Sequence, residues 1–414
     1  MNKDKTMYDT SGITSRNKHE LLRNFMFIVQ AHVKIESAKE FKIQFIPLIL
    51  IIIFISFGSS FGQSRDQVSV DPIHWNEALE QDAKWYKSSE AIRIADNVLL
   101  YQHPTGGWPK NINMAQVLSE ADKDSIRNEQ AAGGTTLNNI TIDNGATYTQ
   151  MRYLASAYDA TEYERFREAF LLGVDYLLEA QYANGGWPQY YPIRKGYSEH
   201  ITFNDNAMIG VMSLLKDISD QKPPYTFIDN ERKANIAKAL DKGLDVILET
   251  QIKVNGTLMA WCTQYDKDNF TPAGARSYEH PSISGSESVN ITRYLMQTEN
   301  PSPRVIEAVE SAVKWFEDAA IHGKRLVQQE NPDVHRGYER FVVDDPNAPP
   351  IWARFYEIET NLPIFSGRDG IIKYHYSEIE HERQVGYSWF GSWPLSLLEE
   401  EYPKWRSKHN LSSR

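Results

Sequence analysis

Apolar side chains recur along this chain with helical spacing. Phe166, Phe170, Val174, Leu177 and Leu178 mark one stripe and Ile236, Leu240, Leu244, Ile247 and Leu248 another, each on an otherwise charged segment. Such stripes predict amphipathic helices with one buried face. They also belong to a repeat: Ala95-Asp-Asn-Val-Leu-Leu-Tyr-Gln102, Val174-Asp-Tyr-Leu-Leu-Glu-Ala-Gln181 and Leu244-Asp-Val-Ile-Leu-Glu-Thr-Gln251 carry Asp, Leu and Gln at the same offsets. A period of about 70 to 80 residues indicates stacked copies of one supersecondary unit. Each copy stops alike, at His103-Pro-Thr-Gly-Gly-Trp-Pro109, at Tyr182-Ala-Asn-Gly-Gly-Trp-Pro188, and in degraded form at Val254-Asn-Gly-Thr-Leu-Met-Ala-Trp261. Gly supplies the left-handed cap and Pro prevents continuation.

Second helices are predicted to begin near Thr141–Gly145, Thr202–Asn206 and Ser284–Ser288. The segment Ala146–Tyr158, with Ala146, Gln150, Tyr153, Leu154 and Ala157 on one face, is less charged than the first helices, which assigns the second helices to an inner ring. Three outer-plus-inner hairpins predict an all-α fold, an (α/α)3 toroid with irregular loops and small β-elements, whose loops converge on one mouth. Beyond Trp315-Phe316 the chain is irregular and aromatic-rich from Tyr338 to Trp393, with a short strand signal at Arg340-Phe-Val-Val343; long irregular connections are often functional. Residues 63–414 read as a single domain.

The apolar run from Phe45 to Phe57, preceded by Lys39 and Lys42 and followed by small residues through Gly62, has signal-peptide grammar. It is shorter than the roughly 20 apolar residues that span a bilayer. Residues 1–62 are therefore expected to be a leader, with Met26 as the start and cleavage near Gly62-Gln63. Export to the periplasm or medium follows, as a monomer with no stable membrane insertion.

Lys and Arg total 44 against 55 Asp and Glu, a net charge of -11, which argues against a nucleic-acid partner because phosphate recognition needs basic surface. An anionic ligand would need local basic residues or a metal. The single cysteine, Cys262, excludes an intramolecular disulfide and a cysteine-based zinc site, and it reads as a small buried residue.

The converging loops carry Lys110, Asp143-Asn144, Asn204-Asp205-Asn206, Arg276 with His280, Glu287, Arg354 and Arg368. Their acidic half is oxygen-rich, as a hard cation prefers. Asp143 and Asp205 stand at helix starts, where capping alone also explains them. Surface salt bridges equally explain the arginines. Trp108 and Trp187 either pack their loops or stack on a sugar ring.

Several ordered stretches resemble the family 10 polysaccharide lyases, pectate lyases with an (α/α)3 toroid. They are Gly106-Gly-Trp-Pro-Lys-Asn111, Thr141-Ile-Asp-Asn-Gly-Ala-Thr147, Gln181–Pro188, Phe203-Asn-Asp-Asn206, Trp261-Cys-Thr-Gln-Tyr-Asp266, Ala275-Arg-Ser-Tyr-Glu279, Trp352-Ala-Arg-Phe-Tyr-Glu357 and Phe365-Ser-Gly-Arg-Asp369. The resemblance covers about Ala91 to Pro394. It implies calcium-assisted β-elimination on polygalacturonate, the polyanion of pectin, with Ca2+ on Asp143, Asn144 and Asp205. It further implies Arg368 as base, beside Asp143 in the catalytic set. Lys110, Arg276 and Arg354 would bind galacturonate carboxylates, with Trp187 a substrate-binding aromatic. An arginine base requires its high pKa to be depressed, by burial beside cations. A glycoside hydrolase on a similar toroid, acting on an acidic polysaccharide with Asp143 and Asp205 as its carboxyl pair, is the alternative.

Overall fold

Short polar side chains fix where several long helices begin. Helix α1 (Ser89–Tyr101) starts at Ser88, whose hydroxyl accepts from the Ala91 amide. Helix α2 (Glu120–Ala131) has a reciprocal Ser119–Asp122 box. Helices α3 (Tyr148–Thr161) and α4 (Glu164–Ala180) form a tight pair across Glu162, which takes the left-handed conformation that ends α3. Then come α5 (Ala207–Ser219), α6 (Asn230–Glu249) capped by Asp229, α7 (Glu287–Met296), and α8 (Pro303–Asp318) capped by Ser302 with Pro303 in its first turn. Each cap satisfies amides that would otherwise lack an intrahelical partner.

The computed structural model describes residues 73–133 and 139–411, which belong to one compact unit, Ser69–Arg414. The leader and its apolar run at 45–57 lie outside the described residues. Among the described residues no helix is long and apolar enough to cross a membrane.

The helices form two layers. Outside, α1, α4, α6 and α8 contact one another in that order; inside, α3, α5 and α7 do the same. Burial agrees with the sequence expectation for the second helices, since Ala207 to Met212, Leu214, Leu215 and Ile218 of α5 are all buried. A helix apolar on nearly every side belongs in the middle of a stack. The fold is helix-rich, and no closed barrel forms among the described residues. The strand signal near Arg340 belongs to a longer antiparallel ribbon, β1 (Lys324–Glu330) paired with β2 (Tyr338–Asp344) in the register Lys324↔Asp344 to Glu330↔Tyr338. Cys262 is buried, as expected.

One device ties neighbouring copies together, and it accounts for the repeat. Gln102, Gln181 and Gln251 each donate from Nε2 twice, once into their own loop and once to the next outer helix, at the carbonyls of Ala169, Ala239 and Ala308. The tryptophan that follows folds back beneath its own helix: the indole N–H of Trp108 donates to Val98 O, that of Trp187 to Leu177 O and that of Trp261 to Ile247 O. Gly173 and Gly243 leave room for the first two rings, because a Cβ there would lie 3.2 Å from Trp108 and from Trp187. The structure adds a fourth copy, Trp352, whose indole donates to Phe316 O at the end of α8.

These tryptophans are core residues. Trp187 is 0 % exposed, so the expected stacking on a sugar is corrected: its ring faces are covered by protein and its only polar atom is bonded. The loop glycines are equally constrained. Gly185 has φ +103, and a Cβ on it would lie 2.4 Å from the Lys242 carbonyl oxygen. Gly185→Ala is expected to lower unfolding free energy by about 2–4 kcal/mol through backbone strain and overlap with a fixed carbonyl, measured by urea denaturation.

Candidate active site

After each repeat tryptophan the chain runs extended and pairs with the segment that leads into an inner helix. Thr141 N donates to Trp108 O, Thr202 N to Trp187 O and Ser284 N to Trp261 O. The next residue then bonds one copy onward, Ile142 N to Gln189 O, Phe203 N to Thr263 O and Gly285 N to Arg354 O. Lys110, Gln189, Thr263 and Arg354 are therefore equivalent, each two residues after a repeat tryptophan. Asn144, Asp205 and Glu287 are also equivalent, each three residues beyond the paired Thr or Ser. The site is a set of matching positions brought together by the stacking, with different chemistry in each copy.

Two of these positions share an unusual backbone. Asn144 (φ 50, ψ 35) and Asp205 (φ 49, ψ 34) are both left-handed, a conformation Asn and Asp tolerate better than most residues. Their two turns pack against each other. Neither acid serves as a cap, since α3 and α5 have no side-chain cap hydrogen bond; capping does not explain Asp143 and Asp205.

Cations face this oxygen set. Lys110 pairs with Asp143 Oδ2. Burial disfavours the Lys110 ammonium, but Asp143 outweighs it and holds the pKa above its ordinary value. The other oxygen, Asp143 Oδ1, is buried with no hydrogen-bond partner among the described residues, as is Gln189 Oε1. Beside this pair opens a cavity of about 460 Å³, lined by Lys110, Asn111, Asn113, Asn144 and Gln150 among others, and Asn144 Nδ2 donates to Asn111 Oδ1 at 3.1 Å. Arg354 is almost enclosed, pairs with buried Glu287, and reaches Asp205 at 3.4 Å. Burial works against the guanidinium charge, yet Glu287, Tyr387 and Asp205 raise its pKa, which leaves Arg354 a fixed cation.

An aromatic and ionic network continues outward from Arg354. Tyr387 lies under its guanidinium at 5.0 Å and donates from its hydroxyl to Glu279 Oε1 at 2.8 Å. Glu279 in turn holds Arg276, whose Nε donates at 2.7 Å. Burial pushes the Glu279 carboxyl up, but Arg276 brings it below its usual range. Arg276 and Arg383 both stack on Tyr278. Arg383 and Arg368 share Glu382, the latter through Nε at 3.1 Å and Nη2 at 3.0 Å. Those two guanidinium groups push Glu382 down to about 2. The burial expected around Arg368 is absent from this arrangement: its side chain is 64 % exposed and paired to Glu382. His280 bonds Ser366 Oγ at 3.0 Å, and burial lowers its pKa.

The structure thus gathers Asp143, Asn144, Asp205, Lys110 and Arg354 at one set of turns, and links Arg276 and Arg368 to them through Tyr387, Glu279, Tyr278, Arg383 and Glu382. These five linking residues are not singled out by the sequence, although Tyr278 and Glu279 fall within the motif Ala275–Glu279. Among the described residues no cluster of three or more His, Cys, Asp or Glu side chains is placed to hold a metal.

Fold and site define a class: a layered helical-hairpin protein that sets fixed cations around a few oxygen donors, as a polyanionic ligand requires. The chain belongs to the pectic acid lyase family, which it matches over residues 102–398. It is similar to a family 10 polysaccharide lyase from Cellvibrio cellulosa, with 32% identity, a TM-score of 0.66, and 79% of this chain and 95% of that one covered. An aspartate-to-alanine mutant of a family 10 polysaccharide lyase from the same organism, solved in complex with trigalacturonic acid, matches with 32% identity, a TM-score of 0.67, and 78% and 95% coverage. No curated protein matches the chain. The chain is an enzyme of the lyase class, a pectate lyase, and the hydrolase alternative falls away.

Two outcomes are expected. Glu287→Gln removes the buried counter-charge of Arg354 and should cost about 3 kcal/mol of stability, read from denaturant unfolding. Trp187→Phe should lower stability by about 1–3 kcal/mol, through lost volume and a lost hydrogen bond, with KM unchanged; a raised KM at unchanged stability would restore the stacking role.

Proposed function

We propose that the enzyme cleaves α-1,4-polygalacturonate by calcium-assisted β-elimination, at a mouth formed by the Asp143–Asn144 and Asn204–Asp205 turns. The observation that carries this reading is Asp143 Oδ1, a buried carboxylate oxygen with no hydrogen-bond partner among the described residues, in a turn that packs against the one holding Asp205. Two carboxylates and a carboxamide suit a hard cation but leave its shell short of the six to eight oxygens calcium takes, so a substrate carboxylate would complete it. Calcium held by Asp143, Asn144 and Asp205 would draw charge from that carboxylate and acidify the adjacent C5 proton.

The chain's own groups supply the rest. Lys110 and Arg354 are pinned cations that would orient galacturonate carboxylates, and Arg276 would do so further out. Arg368 is the group proposed to take the C5 proton; the electrons of that bond form the C4–C5 double bond as the C4–O bond breaks, and the departing oxygen keeps the C4–O electron pair, takes a proton from water and becomes the hydroxyl of the new reducing end. This leaves an unsaturated sugar at the new non-reducing end. In this role Arg368 must first leave Glu382, which it holds through Nε and Nη2. On this reading the two helical layers are an incomplete (α/α)3 toroid, and the leader exports the enzyme to its polymer.

The test adds the full-length chain to polygalacturonate at alkaline pH, with calcium or with chelator, and follows ultraviolet absorbance of the unsaturated product. A calcium-dependent rise is expected; reducing ends without absorbance would overturn elimination. Arg368→Lys is expected to lower kcat by about 100-fold or more, as for a lost general base. Full rate with an unchanged pH profile would remove Arg368 from the role.

A further inference from the structure

A second arginine-lined cavity adjoins the mouth. It measures about 340 Å³ and is lined by Arg336, Tyr338, Arg340, Arg354, Val385, Gly386, Tyr387 and Ser388, with no acidic residue among them. Arg354 belongs to both places, since it contacts Asp205 and Glu287 as well as lining this cavity. The other two arginines come from the ribbon. Arg336 sits in the ribbon turn with a left-handed backbone, φ 65, and its Nη1 donates to Val385 O at 3.3 Å. Arg340, on β2, lies over the Tyr338 ring at 5.2 Å and donates from Nε to Gln328 Oε1 at 3.2 Å.

Each guanidinium is therefore tethered through a neutral partner, and neither Arg336 nor Arg340 makes an ion pair with a carboxylate among the described residues. A guanidinium has five N–H donors, so both retain donors for a planar anion. In a chain of net charge -11, carboxylates are plentiful, yet the cavity lining holds three arginines and no acid, and of the three only Arg354 pairs with carboxylates among the described residues. A solvated surface arginine tolerates such neighbours at small cost in water. What separates this cavity from ordinary surface is its continuity with the mouth through Arg354 and Tyr387, and the absence of any internal counter-ion for the ribbon pair.

We propose that Arg336 and Arg340, together with Arg354, form an outer subsite that binds the carboxylate of a galacturonate residue flanking the scissile bond, so that the ribbon favours longer oligomers. The proposal rests on the reading of polygalacturonate as substrate. Its ligand chemistry is that of a sugar carboxylate taken by paired arginine forks.

The test measures kcat/KM of the full-length chain on trigalacturonate and hexagalacturonate, for the parent, Arg336→Gln, Arg340→Gln and the double variant. The double variant is expected to lose about tenfold on the hexamer, the scale of one charge-assisted contact, with less than a twofold change on the trimer and an unchanged melting temperature. Equal losses on both lengths, or no loss on either, would overturn the subsite. Should Arg336→Gln fail to fold, Arg340→Gln alone carries the same comparison. If the parent cleaves neither oligomer, it is the substrate reading that fails. The cavity is then judged by calorimetric binding of hexagalacturonate in chelator: weaker binding in the double variant supports the subsite and equal binding overturns it.

Discussion

The structure depends on a tryptophan that folds back beneath its own helix. Trp108, Trp187, Trp261 and Trp352 each give their indole N–H to a carbonyl on the preceding outer helix. The ring is thereby buried without stranding its polar atom, which is the condition for placing tryptophan in a core. Because the ring is fixed, so is the extended backbone that leaves it. That backbone sets the position of Lys110 and Arg354, and through its pairing also that of the turns holding Asp143, Asn144 and Asp205. The glutamine beside each turn then fastens the loop to the next helix, so the geometry of one copy is passed on to its neighbour.

An active site built this way inherits its precision from the scaffold. The position two residues after the tryptophan is Lys in the first copy, Gln and Thr in the middle two, and Arg in the fourth. The left-handed turn position is Asn in one copy and Asp in the next, while the third equivalent is Glu287. A neutral pair in the middle with a cation at either end places Lys110 on Asp143 and Arg354 between Glu287 and Asp205. Rigid elements hold such groups more accurately than free loops do.

Much of this was legible in the sequence. The repeat in Asp, Leu and Gln announced stacked hairpins, and the low charge of Ala146–Tyr158 announced an inner layer. The Gly-Gly-Trp-Pro motif marked the turns correctly. What it could not reveal is the direction of the tryptophan, because a loop aromatic reads alike whether it faces a sugar or a carbonyl; the signal was there in Gly173 and Gly243, small residues placed where the next helix must clear an indole. The fourth copy was hidden because no Gly-Gly precedes Trp352. Its trace is Trp-x-x-x-Tyr at 261–265 and 352–356, in which Tyr265 and Tyr356 each accept from the amide three residues earlier. The ionic network was beyond reach for a different reason. Glu279 and Tyr387 are 108 residues apart, and no local pattern predicts a contact of that span.

The same network bears on how an acidic protein handles an acidic polymer. A net charge of -11 repels a polyanion at long range, within the limits set by salt screening. Most arginines near the mouth are already matched: Arg276 to Glu279, Arg354 to Glu287, and Arg383 with Arg368 to Glu382. Paired guanidinium groups keep a defined geometry and still offer unused N–H donors. Glu382, held at about 2, stays an anion far below neutral pH, so its pairs with Arg368 and Arg383 persist over that range.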